Sequence, residues 1–101
     1  MSTSADELSS PSAISVSFSE DCLVVDLEDG RTIAAPVSWY PRLANASDAE
    51  RSNWEIFGRT GIHWPDIDED ISVLALLAGK ASNESQASLQ QWLAKRTDAG
   101  A

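Results

Sequence analysis

Apolar and polar positions alternate strictly near the start of the chain: Ile14, Val16 and Phe18 are separated by Ser15, Ser17 and Ser19. A period of two is that of a strand with one buried face, which here would carry all three apolar residues. Leu23, Val25 and Leu27 repeat the pattern, and Arg31-Thr32-Ile33-Ala34-Ala35 follows after Glu28-Asp29-Gly30. Asp-Gly supplies the backbone angles of a tight hairpin turn. The prediction is a three-stranded antiparallel meander with Leu23, Val25 and Leu27 on one face and Ile33 and Ala35 opposite them, ended or edged by Pro36.

Beyond Pro36 the period changes. Ser47-Asp48-Ala49-Glu50 fits a capping box and predicts a short helix over about 48–56. Gly58 and Gly61 interrupt it, and Ile62 and Trp64 then flank His63 as in a short fourth strand, limited by Pro65. Asp70 before Ile71-Ser72-Val73-Leu74-Ala75-Leu76-Leu77-Ala78, with Gly79 after it, predicts a two-turn helix with an acidic N-cap and a left-handed C-cap. Asn83 with Gln86 opens a last helix, on which Leu89, Trp92, Leu93 and Arg96 share one face. That face docks intramolecularly or mediates a homodimer, two alternatives the pattern leaves open.

These elements predict an α+β fold, a small antiparallel sheet of the meander plus a short fourth strand, packed with two or three short helices. Residues 1–12, rich in Ser and acids, read as a flexible leader, 13–79 as a single α+β domain and 80–101 as a C-terminal amphipathic helix and tail.

Composition narrows the functional classes. With 101 residues, 43% hydrophobic and 23% charged, the chain builds one modest core, in which the four Trp, two Phe and one Tyr weigh heavily. Its formal charge is −9, and residues 60–79 hold four acids and no Lys or Arg. Such an acidic surface is unsuited to binding a phosphate backbone and suits a basic protein partner. The single cysteine, Cys22, adjoins Leu23-Val24-Val25 and reads as a buried thiol in a reducing compartment. The N-terminus lacks the basic-then-apolar order of a signal peptide and no run is long enough to span a membrane, so the expected location is cytoplasmic, without membrane association.

Candidate chemistry gathers in Ile62-His63-Trp64-Pro65-Asp66-Ile67-Asp68-Glu69-Asp70-Ile71-Ser72. Asp66, Asp68 and Asp70 take the first, third and fifth positions of a calcium loop, but Ile71 stands where that loop needs Gly and Leu77 where it needs a bidentate Glu. No metal or other cofactor is therefore expected. His63 has carboxylates nearby but no Ser or Cys in a nucleophile context, so no catalytic residue is assigned. Gly58-Arg59-Thr60-Gly61 is too short for a phosphate loop. Trp39-Tyr40-Pro41-Arg42-Leu43 sets an Arg beside aromatics, the composition of interface hot spots, while its structural role would be a turn in which Arg42 neutralises an acid.

The Leu23-x-Val25-x-Leu27 strand, Asp29-Gly30-Arg31, Trp39 to Leu43, Glu50-Arg51, and Ile62-His63-Trp64-Pro65 with Asp68-Glu69-Asp70-Ile71 together resemble domain-of-unknown-function family 2442 over about residues 13–79. The resemblance implies a small bacterial α+β domain, commonly encoded alone, sometimes joined to a helix-turn-helix segment, and often beside a second small protein in a toxin–antitoxin-like pair. It implies no enzymatic activity, cofactor or catalytic residue. Residues 80–101 are too short for a helix-turn-helix unit of their own.

The expected function is a non-enzymatic, antitoxin-like module that binds a basic protein through Trp39, Tyr40, Arg42, His63, Trp64, Asp66, Asp68, Glu69 and Asp70. Two rivals belong to other classes: a nucleic-acid-mimicking inhibitor of a nucleic-acid-processing complex, and a small hydrolase using His63 and the acids.

Overall fold

The computed structural model describes residues 11–58 and 60–100, with the side chains of the last helix as far as Arg96. Most of the leader expected over 1–12, and Arg59, lie outside the described residues. Strands β1 (Ala13–Ser19), β2 (Cys22–Leu27) and β3 (Thr32–Pro36) form one antiparallel sheet in that order. A 3-10 turn (Val37–Trp39) and two short helices, α1 (Pro41–Ala44) and α2 (Asp48–Ser52), lead to a second antiparallel sheet of β4 (Glu55–Phe57), β5 (Gly61–Trp64) and β6 (Glu69–Ser72). Helices α3 (Val73–Leu77) and α4 (Gln86–Gly100) follow. The α+β fold is as expected, and the fourth strand proves to be the centre of a sheet of its own.

In the first sheet Leu23 pairs with Ala35 and Val25 with Ile33, and Leu23, Val25 and Leu27 are buried. The hairpin closes through the Leu27 N–H donating to the Arg31 carbonyl, with Gly30 at φ 96°, a left-handed angle that an L side chain resists. On the outer face the Asp26 carboxylate accepts from the hydroxyls of Thr32 and Ser15, which lowers its pKa. Ile14 departs from the expected alternation. The register slips between Ala13 and Ser15, so Ala13 is buried in its place and Ile14 is 61% exposed. One extra residue in a β-bulge re-phases the strand beyond it.

The helices are shorter than their sequence pattern. Helix α2 has the full capping box, with the Glu50 N–H donating to the Ser47 hydroxyl and the Ser47 N–H to the Glu50 carboxylate, but it ends at Ser52. Glu55-Ile56-Phe57 leaves it to pair with β5. Asp70 does not cap α3, because the period of two continues through Glu69–Ser72 as β6. Ser72 takes the N-cap, accepting from the N–H groups of Leu74 and Ala75. Gly79, at φ 73°, ends the helix as expected, with the Gly79 N–H on the Leu76 carbonyl and the Lys80 N–H on that of Ala75. At α4 the Ser85 hydroxyl accepts from the Ser88 N–H, the capping part expected of Asn83.

The inner faces of both sheets close on one core of Leu23, Val25, Leu27, Ile62, Trp64 and Ile71, joined by Leu43, Ile67, Val73 and Leu76. Cys22 is half-buried at the edge of this arrangement. No described helix is long and apolar enough to cross a membrane.

Candidate functional site

The alternation of β5 divides the residues expected to bind a partner between two faces. Ile62 and Trp64 point inward and are fully buried, and His63 points out. The Trp64 indole N–H donates to the Arg51 carbonyl at 3.0 Å, so its polar atom is satisfied inside. Tyr40 is 3% exposed, its hydroxyl donating to the Lys80 carbonyl, and Trp39 packs partly buried against the core. These three aromatics hold the fold together and offer little to a partner.

Arg42 is committed to the domain as well. Its Nε and Nη2 grip the Glu84 carboxylate, with contacts from 2.7 to 3.0 Å, and its Nη1 donates to the Ile67 carbonyl at 2.9 Å. The sequence expectation that Arg42 neutralises an acid is met by Glu84, and the same guanidinium clamps the β5–β6 loop. Arg42 in turn holds Glu84 below the ordinary carboxylate range.

Glu69 lies opposite Trp64, on the inward side of β6, and is half-buried. Loss of water there, with Glu84 nearby, raises its carboxyl to about 7, although Arg42 pulls the other way. Burial, together with the charge of Glu69, also raises the Tyr40 phenol.

The outer face of the second sheet is different in character. Glu55, His63 and Asp70 form a row across β4, β5 and β6, with Glu55 paired to His63 and His63 to Asp70. His63 Nδ1 and an Asp70 oxygen are 2.5 Å apart, and this bond raises the His63 pKa. Beside the row stands Phe57, 59% exposed, its ring 6.2 Å from that of His63. Ile56, opposite inward-facing Ile62 and so on the other face of the edge strand, is 41% exposed. Every residue of β4 is exposed and the strand pairs only with β5 among the described residues, so the main-chain groups of its other side are open. Gly61 faces Phe57 closely: a Cβ there would lie 2.6 Å from the Phe57 carbonyl oxygen and 2.7 Å from its ring, so the glycine lets the Phe57 ring lie over this end of the sheet.

The loop acids border that face. Asp66 accepts from Asn53 Nδ2 at 3.0 Å, and Asp68, exposed, holds a left-handed φ of 52°. Asp66, Asp68 and Asp70 do not converge, and among the described residues no group of three or more His, Cys, Asp or Glu is placed to hold a metal ion. The Ser72 hydroxyl, on the same strand as Asp70, is engaged at the α3 cap. An open cleft of about 420 Å³ between β1 and α2 is lined by Phe18, Asp48, Arg51 and Trp54. Its Arg51 is turned to structural use, stacked 5.1 Å from the Phe18 ring and donating to the Leu43 carbonyl.

Sequence reasoning missed β4, and with it Glu55, Ile56 and Phe57. The available signal was the apolar pair Ile56-Phe57 between Asn53 and Gly58, two residues that promote turns. The capping box before it drew the helix too far.

Comparison with known proteins gives the fold a family. The model of the family described as protein of unknown function (DUF2442) matches residues 13–82. The chain belongs to this family. DUF2442 thus accounts for both sheets and α3, and α4 lies past its match. A protein of unknown function from Rhodospirillum rubrum, solved by crystallography, is 33% identical to the chain, with a TM-score of 0.62 over 78% of this chain and 96% of that one. A comparison with curated proteins finds no match.

Proposed function

We propose that this chain is a protein-binding module whose contact surface is the outer face and free edge of the second sheet, and that its partner is a basic protein segment. The observation that carries the reading is the Glu55–His63–Asp70 row beside exposed Phe57, on a sheet whose edge strand β4 has no neighbour on its far side among the described residues. An open edge accepts an extended segment through main-chain hydrogen bonds, with side chains supplying specificity. Here Phe57 and Ile56 offer apolar contact, while Glu55, Asp68 and Asp70 favour Lys or Arg on the incoming strand.

The net charge of −9 supports the same partner at longer range, by speeding encounter with a basic protein and making it sensitive to salt. Neutralisation of a basic toxin, as the antitoxin-like role would require, is one form of this reading. Of the residues expected from sequence, His63, Asp66, Asp68 and Asp70 stay in the proposed surface. Trp39, Tyr40, Arg42, Trp64 and Glu69 are assigned to its support, and Glu55, Ile56 and Phe57 are added. Affinity purification of the tagged chain from its host, with low-salt and high-salt washes, tests the reading: a dominant basic partner that salt removes supports it, and recovery of the chain alone opposes it.

A further inference from the structure

Helix α4 is seated on the domain without entering its core. Among the described residues the buried apolar core comes from residues 13–76; Trp92 of α4 packs against it, partly buried, and Leu89 and Leu93 are half-buried. What holds the helix is a series at four-residue spacing: Ser88, Trp92 and Arg96 along one ridge of α4, preceded by Glu84 in the connection before it. Glu84 is gripped by Arg42 of α1 and accepts from the Ser88 hydroxyl at 2.7 Å. Arg96 forms a two-pronged pair with Glu50 of α2, at 2.8 and 2.9 Å, and reaches the Asn45 carbonyl. The Trp92 ring meets both guanidiniums, its centre 5.2 Å from that of Arg42 and 4.6 Å from that of Arg96.

Three features make this seat separable from its occupant. The core is closed before α4 begins. The connection from Gly79 to Ser85 has neither helix nor strand. Charge is complementary, since residues 86–96 carry Lys95 and Arg96 and no acid, while the seat offers Glu50 and Asp68. An open cleft of about 240 Å³ between the helix and the domain is lined by Arg42, Asp68, Trp92 and Lys95.

We infer that the seat formed by Arg42, Asn45, Glu50 and Asp68 is a docking surface for a helix, filled by α4 in cis and open in trans to a partner helix of the same chemistry. That partner carries a carboxylate, an aromatic residue eight positions later and an arginine four positions after that. Exchange trades ion pairs and ring contacts for their equals. The seat shares Asp68 with the surface proposed around β4, but Arg42, Asn45 and Glu50 lie outside that surface, so the seat can be tested through Glu50 alone.

The test titrates a fluorescently labelled peptide of residues 83–101 into the full chain, read by anisotropy. Arg96→Gln in the chain loosens α4 and leaves Arg42, Glu50 and Asp68 in place, and Trp92→Ala loosens it independently. The peptide should bind both variants at least tenfold more tightly than the wild-type chain, and Glu50→Lys added to either variant should abolish that gain. Equal affinity for wild type and both variants, or no binding to any, would overturn the inference.

Discussion

Arg42 of α1 and Glu84, which follows the stretch matched by the family, form a fork-to-fork ion pair with side chains 17% and 9% exposed. The pair joins three separate parts of the chain, because the same guanidinium holds the Ile67 carbonyl and faces the Trp92 ring. Removing one partner of a sheltered pair leaves the other uncompensated.

Arg42→Ala should therefore destabilise the domain by about 2–3 kcal/mol, measured by urea unfolding followed by Trp fluorescence. Arg42→Lys should recover less than half of that, since a lysine cannot reproduce the planar fork or stack on Trp92.

Glu69 supplies a pH dependence of a definite sign. Its carboxyl titrates near 7 in the folded chain and near the ordinary Glu value when unfolded. Between about pH 4.5 and 7 the native state therefore holds a proton that the unfolded state has released, and stability falls as pH rises through that window. Glu69→Gln should flatten this slope and stabilise the chain at pH 8 by about 1–2 kcal/mol, allowing for partial solvent contact. Unfolding curves at pH 5.5 and 8 for both chains check it.

Glu50 acts in the opposite sense. Arg96 and the Ser47 N–H hold its carboxyl down at about 2. Its contribution is present above the unfolded Glu value and is lost as pH falls toward 2. Glu50→Gln should remove part of the acid-induced loss of stability between pH 4.5 and 2, read from unfolding midpoints at those two values.

The cap of α3 separates two readings of the same segment. Ser72→Ala should cost about 1 kcal/mol, the usual value for losing an N-cap hydroxyl. Asp70→Ala, which removes only an exposed pair with His63, should cost less. Thermal unfolding of the two variants side by side checks the order.

That segment also explains how far the fold was legible in the sequence. The meander was readable because Leu23, Val25 and Leu27 alternate without interruption and Asp29-Gly30 fixes the turn. Of the second sheet β5 was readable from Ile62 and Trp64, but β4 and β6 were not, since they are only three and four residues long and each adjoins a helix signal. A capping box specifies where α2 begins but not where it ends, and pairing with Ile62 decided that Ile56 would be strand. Ile14 fell to a bulge, which no alternation rule anticipates. For the candidate site, His63 and its outward orientation followed from its neighbours Ile62 and Trp64. Tyr40 and Arg42 matched interface composition, yet large aromatics in so small a domain go first to the core, and the partner of Arg42 stands forty-two residues away.

Quantitative capture with surface variants reads out whether the outer face of the second sheet is the contact surface. Tagged wild-type chain and the Glu55→Lys/Asp70→Lys variant, both verified as folded by circular dichroism, would be used at low salt on lysate of the native host, with bound proteins quantified by mass spectrometry. A contact surface there gives one dominant basic partner on the wild-type chain, reduced at least tenfold on the charge-reversed variant and again on Phe57→Ser. The same partner in the same amount on all three chains would contradict it.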